Sequence, residues 1–171
     1  APLPSEGQKT AADILNDKAA LLVEAGEYDS ALVYARKGIE ISEKTNNWNA
    51  WGKAQLSLLY SNYYLGRHTA SVADFPALEQ SAQAHLSPDS TFWGEYFNVA
   101  GAVFNEIGNY EDAIRYGLKE IDFYEKKGDP ASQALASNNI STYYRNRGDY
   151  DRALEYTQSA LQIYRSDPQT D

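Results

Sequence analysis

The stretch Asn139-Ile-Ser-Thr-Tyr-Tyr-Arg-Asn-Arg-Gly148-Asp-Tyr150-Asp-Arg-Ala153-Leu-Glu-Tyr-Thr-Gln-Ser-Ala160-Leu161 spells a helix, a Gly-Asp-Tyr corner and a second helix that turns small residues toward the first. The skeleton recurs upstream as Gly108-Asn-Tyr110-Glu-Asp-Ala113 and as Gly26-Glu-Tyr28-Asp-Ser-Ala31, with Gly66-Arg-His68 as a degenerate copy. Successive corner glycines are 40, 42 and 40 residues apart. Self-similarity at such a period marks an array of supersecondary units, each unable to bury its apolar face alone. Glycine lets each corner turn left-handed without steric cost. Alanine at Ala31, Ala113 and Ala153 lets paired helices approach closely.

These corners divide the rest of the chain. Residues 1–9 carry two prolines and read as an extended lead-in. From Thr10, the residues Ile14, Leu15, Ala19, Leu22 and Val23 fall at helical spacing up to Gly26. A second helix is expected from Tyr28 to Lys44, with Thr45-Asn-Asn47 as connector. The next pair opens at Trp48 and reaches Gly66. In its second helix Pro76 removes a backbone donor and clashes with the preceding turn, which predicts a kink or break around Asp74-Phe75-Pro76. Leu86 to Thr91 is the longest loop, and Ser90 or Thr91 can cap the next helix. Helices are then expected over Phe92–Ile107, Tyr110–Lys127, Ser132–Arg147 and Tyr150–Tyr164, before a tail over 166–171. A single array over 10–165 results, with repeats at 10–46, 47–88, 89–130 and 131–165.

Composition narrows the function classes. The 15 basic and 24 acidic residues give a net charge of −9, unsuited to a phosphate backbone and suited to a basic or neutral peptide. There is no cysteine, hence no disulfide frame, thiol nucleophile or thiolate metal site. No apolar run approaches the roughly 18 residues of a membrane span, and no signal peptide is present. The compartment reads as soluble, cytoplasmic ahead of secreted or periplasmic. No methionine occurs, so Ala1 is not the initiator.

The pattern Gly-x-Tyr-x-x-Ala followed by Tyr resembles the tetratricopeptide repeat. Gly26/Tyr28/Ala31/Tyr34, Gly108/Tyr110/Ala113/Tyr116 and Gly148/Tyr150/Ala153/Tyr156 carry the resemblance. The family's standard unit is about 34 residues. The longer period here is similar to that of kinesin light chains and of helical-repeat sensor regions in bacterial regulators. In the second repeat His68 replaces Tyr and Ser71 replaces Ala. The resemblance implies an all-α fold, an α-solenoid of four stacked helix-turn-helix repeats wound as a right-handed superhelix, with first helices lining a concave groove.

Candidate sites are found by counting back from each corner glycine. Thirteen residues before stand Asp13, Lys53, Glu95 and Leu135; ten before, Asn16, Leu56, Asn98 and Asn138; six before, Ala20, Tyr60, Ala102 and Thr142; three before, Val23, Tyr63, Asn105 and Arg145. By the resemblance these face the groove. Of them Asn16, Lys53, Tyr60, Tyr63, Glu95, Asn98, Asn105, Asn138, Thr142 and Arg145 are the candidate contacts. An Asn amide donates and accepts, so the recurring Asn either grips a peptide backbone or ties a neighbouring helix. The Lys/Arg/Asn pattern of the family's carboxylate clamps is incomplete. Trp48, Trp51, Tyr60, Tyr63, Tyr64, Phe92 and Trp93 read as an aromatic centre, either interface anchors or inter-repeat core.

Chemistry finds little footing. His68 and His85 could be neighbours, with Asp74 and Glu79 close in sequence, but lack a ligand-spaced motif. No phosphate loop or nucleophile elbow occurs. The run Lys119–Lys127 reads as a solvated helix face with an Asp122–Lys126 pair. Tyr156, Ala160, Leu161, Ile163 and Tyr164 point where a further repeat would stack, so the chain reads as a fragment or as one that self-associates through its last helix. The function expected is a non-enzymatic scaffold that binds a peptide or partner domain, without cofactor, nucleic acid or membrane. The alternative is a regulatory segment beside a caspase-like peptidase, histidine kinase or transcription regulator.

Overall fold

A computed structural model describes residues 9–166; the expected lead-in before Lys9 and the tail after Ser166 lie outside the described residues. Eight helices and no strand are present among the described residues: α1 Ala11–Glu24, α2 Tyr28–Thr45, α3 Trp48–Tyr64, α4 His68–His85, α5 Thr91–Glu106, α6 Tyr110–Lys127, α7 Pro130–Arg147 and α8 Tyr150–Ser166. The fold is all-α, of the α-solenoid class. Two compact units divide between Ser87 and Pro88. In the first, α2 packs between α1 and α3, α1 also touches α3, and α4 lies on α3. In the second, α6 packs between α5 and α7, α5 touches α7, and α8 lies on α7.

Local sequence explains the boundaries. Thr10 and Asp13 form a reciprocal capping box at the start of α1, and the Thr10 hydrogen bonds hold the Asp13 carboxyl below its usual range. Ser90 caps α5 by accepting from the Phe92 N–H. Asp129 caps α7, which begins at Pro130 rather than Ser132, because proline needs no donor at a first helical position. The four corner glycines all adopt positive φ, from +69° to +90°.

Alanine seams let the helices of the first unit close on one another: Ala19, Ala31, Ala35 and Ala54 are fully buried. The second unit buries larger groups. Tyr96 is inaccessible, stacked on Phe92 with ring centroids 5.6 Å apart and edge-on to Trp93 and Tyr116. At Gly117 any side chain would collide with Ile140, so glycine sets the approach of α6 to α7.

Two expectations are corrected. Helix α4 runs unbroken through Pro76. Phe75, Leu78 and Ala82 are buried on one face of α4 while Pro76 faces solvent, so packing holds the helix across the missing donor. The Lys119–Lys127 run is not solvated throughout: Asp122 and Lys126 pair in solvent at 2.6 Å, but Glu120 is 3% exposed. Trp48 and Trp51 pair near one end of α3, and Tyr63 and Tyr64 pair at the other.

Pro76 yields a prediction. Pro76→Ala restores the N–H and removes an interior-proline cost of about 3 kcal/mol, less about 1 kcal/mol for the freer unfolded chain. Urea unfolding is expected to show a gain of about 2 kcal/mol. A loss of stability would mean that the proline is accommodated without cost.

Candidate partner-binding surface

The residues thirteen, ten, six and three before a corner glycine share one helix face. In the second unit α5 presents Glu95, Asn98, Ala102 and Asn105, and α7 presents Leu135, Asn138, Thr142 and Arg145. Glu95, Asn138 and Arg145 are exposed, and Leu135 is 56% exposed. The opposite faces, with Val99 and Val103 on α5 and Ile140 and Tyr143 on α7, are buried. The Asn146 amide donates to Asn105 Oδ1 at 2.9 Å and joins the two first helices. Thr142 spends its hydroxyl on the Asn138 carbonyl at 3.3 Å.

Asn98 is half-buried, and its Nδ2 donates to Glu120 Oε1 at 3.0 Å. Asn139 also hydrogen-bonds this carboxylate, while Oε2 meets no partner. Burial pushes the Glu120 carboxyl up to about 7, and the two amides pull against that rise. Tyr124 is pushed up to about 12, by burial first and then by the negative charges of Glu120, Glu95 and Asp129. Partial desolvation raises the Glu95 carboxyl as well, although the residue reaches solvent.

The first repeat uses the same register differently. Asn16 faces Gly38, where any Cβ would collide with the Asn16 amide oxygen. Its Nδ2 crosses to the Ala50 carbonyl at 2.7 Å, and the residue is 2% exposed. Asn16 therefore ties α1 to α3 and does not face a groove, contrary to its expected place. Lys53 is exposed and lowers the Asp13 carboxyl electrostatically, after the larger effect of Thr10. Tyr60 and Tyr63 are half-buried, with Tyr63 packed between Tyr64 and His68 at 5.3 Å from each.

His68 and His85 are not neighbours. They begin and end α4, about 26 Å apart along its axis at about 1.5 Å per residue. His68 Nε2 meets the Tyr63 carbonyl at 3.0 Å, and His85 stacks flat on Trp48 with centroids 3.5 Å apart. No group of three or more His, Asp or Glu able to hold a metal occurs among the described residues. At the end of α8, Ala160 is buried and Tyr156 stacks on Tyr144 at 5.4 Å, so both point inward. Leu161 is exposed, as is Leu154.

Glu120 is the residue that sequence reasoning missed. Its signal was register: twelve residues after Gly108, it stands where Gly38, Leu78 and Ala160 stand after their own corners, and all four are buried.

Paired helices in tandem, turned by left-handed glycine corners, define a helical-repeat protein. The chain belongs to the tetratricopeptide-repeat family: two models described as tetratricopeptide repeat match it, over residues 95–166 and 11–47. Such repeats are in general protein–protein interaction modules. No curated protein matches the sequence. Among solved structures, BtubC (BKLC) from P. vanneervenii is similar over 92% of this chain with a TM-score of 0.73 and 17% identity, which shows a shared fold. This chain spans 66% of the length of that one. No helix among the described residues is long and apolar enough to cross a membrane.

Proposed function

We propose that the chain is a non-enzymatic scaffold whose first helices hold a peptide or partner segment, basic or neutral in charge. The observation that carries this reading is the α5–α7 face of the second unit. There Leu135, Asn138 and Arg145 stand exposed on a backbone held by buried packing and by the Asn105–Asn146 bridge. An exposed leucine, an amide one turn further along α7 and a guanidinium about 15 Å along it offer an apolar anchor, a grip on peptide backbone and a charge for orientation. Preformed helices spare the ordering cost of binding on one side. On the first unit, Lys53, Tyr60 and Tyr63 would offer contacts of their own; Asn98 and Asn105 would act by shaping α5.

A peptide array probed with the whole chain, then with Leu135→Ser/Asn138→Ala, tests the reading. The positions are exposed, so folding should persist in far-UV circular dichroism. Binding of the selected peptides is expected to weaken at least tenfold. Undiminished binding would move the site elsewhere.

A further inference from the structure

In the first unit α2, α3 and α4 enclose a cleft of about 310 Å³. Trp51, Leu59, Leu78 and the polar Ser71 are its buried lining residues, and Ile39 and Leu58 add half-buried apolar walls. Two exposed carboxylates, Glu43 on α2 and Asp74 on α4, line it as well. Neither forms an ion pair among the described residues. Glu43 is held at the cleft by accepting from the Trp51 indole N–H at 3.2 Å.

This cleft is separate from the first-helix face. At about 100° per residue, the α3 stripe Trp51, Gln55, Leu58, Leu59 and Asn62 points away from Lys53 and Tyr60, while Tyr63, four residues after Leu59, lies between the two faces. A narrow apolar space between carboxylates from two helices suits an occupant with a long aliphatic stem and a cationic head. The volume lies at the low end of small-ligand pockets, enough for one such side chain. A planar guanidinium can meet two carboxylates at once and lie against an aromatic edge, which an ammonium does less well. The chain's net charge of −9 would steer a cationic segment toward it.

We infer that the α2–α3–α4 cleft is a second docking site, which takes an arginine side chain of a partner peptide between Glu43 and Asp74. The test uses the whole ¹⁵N-labelled chain. The peptide Ac-Ala-Leu-Arg-Leu-Ala-NH2 is titrated against its citrulline counterpart, which is neutral and of the same shape. The Trp51 indole resonance, assigned with Trp51→Phe, should move with the arginine peptide at a concentration at least tenfold lower than with citrulline. Glu43→Gln/Asp74→Asn keeps an acceptor for the indole and should lose that preference. An unmoved indole at millimolar peptide, equal shifts by both peptides, or an undiminished response in the double variant would each overturn the assignment. Binding at the α5–α7 face would instead move second-unit resonances and survive this variant, so the two readings fail separately.

Discussion

Tyr96→Ala is expected to destabilise the second unit by about 3–5 kcal/mol, the range for removing a large aromatic from a core. Tyr96 is inaccessible to solvent. Its ring is held by Phe92, Trp93 and Phe97 on its own helix and by Tyr116 across the interface with α6. Truncation to alanine removes one side of four ring contacts, and the surrounding helices can close the void only in part. Urea unfolding followed by near-ultraviolet circular dichroism measures the loss. Tyr96→Phe keeps the ring and should retain most of the stability. A cost below about 1 kcal/mol for the alanine variant would show that the cluster is loosely packed and that the α5–α6 pair does not depend on it.

Glu120→Gln is expected to stabilise the second unit by up to about 3 kcal/mol at pH 8 and to have little effect below pH 4.5. The sign comes from linkage. Burial raises the Glu120 carboxyl from an ordinary 4.5 to about 7 in the folded chain. The folded state therefore binds its proton more tightly than the unfolded state does. Its contribution is favourable below pH 4.5 and is lost progressively as pH rises to about 7. At about 1.4 kcal/mol per unit, ionising this buried group costs a few kcal/mol, which the uncharged glutamine avoids while still accepting from Asn98. Asp129 and Asp149 run the opposite way: hydrogen bonds from Ser132 and from the Arg152 backbone lower their carboxyls, so their contribution is lost at acid pH. The difference between wild type and variant, taken at each pH, isolates Glu120. A difference that does not grow between pH 4.5 and 8 would mean that the carboxylate is better solvated than its burial implies.

The helix pairs were legible because corner chemistry is local. A glycine at positive φ and a capping side chain act within three or four residues, so Gly26, Gly108 and Gly148 mark their corners without help from the fold. Glu120 was not legible, because its neighbours Asp122, Glu125 and Lys126 do lie in solvent, and composition along a helix does not say which residue turns inward. Register from the corner glycine does. The recurring Asn was ambiguous for a chemical reason: one amide serves a ligand's backbone and a neighbour's backbone equally well. Asn16 and Asn98 are taken up by Ala50 and Glu120, whereas Asn138 stands exposed. Pro76 misled because the local cost of a helix proline was weighed without the buried face of Phe75, Leu78 and Ala82 that offsets it.

Amide hydrogen exchange of the chain, with and without a peptide selected on the array, tests the scaffold account most directly. Binding to the first-helix face should slow exchange in α5 and α7, with the largest change over residues 135–145, and leave α6 and α8 unchanged. Protection concentrated on α6 and α8, with α5 and α7 unaffected, would contradict it.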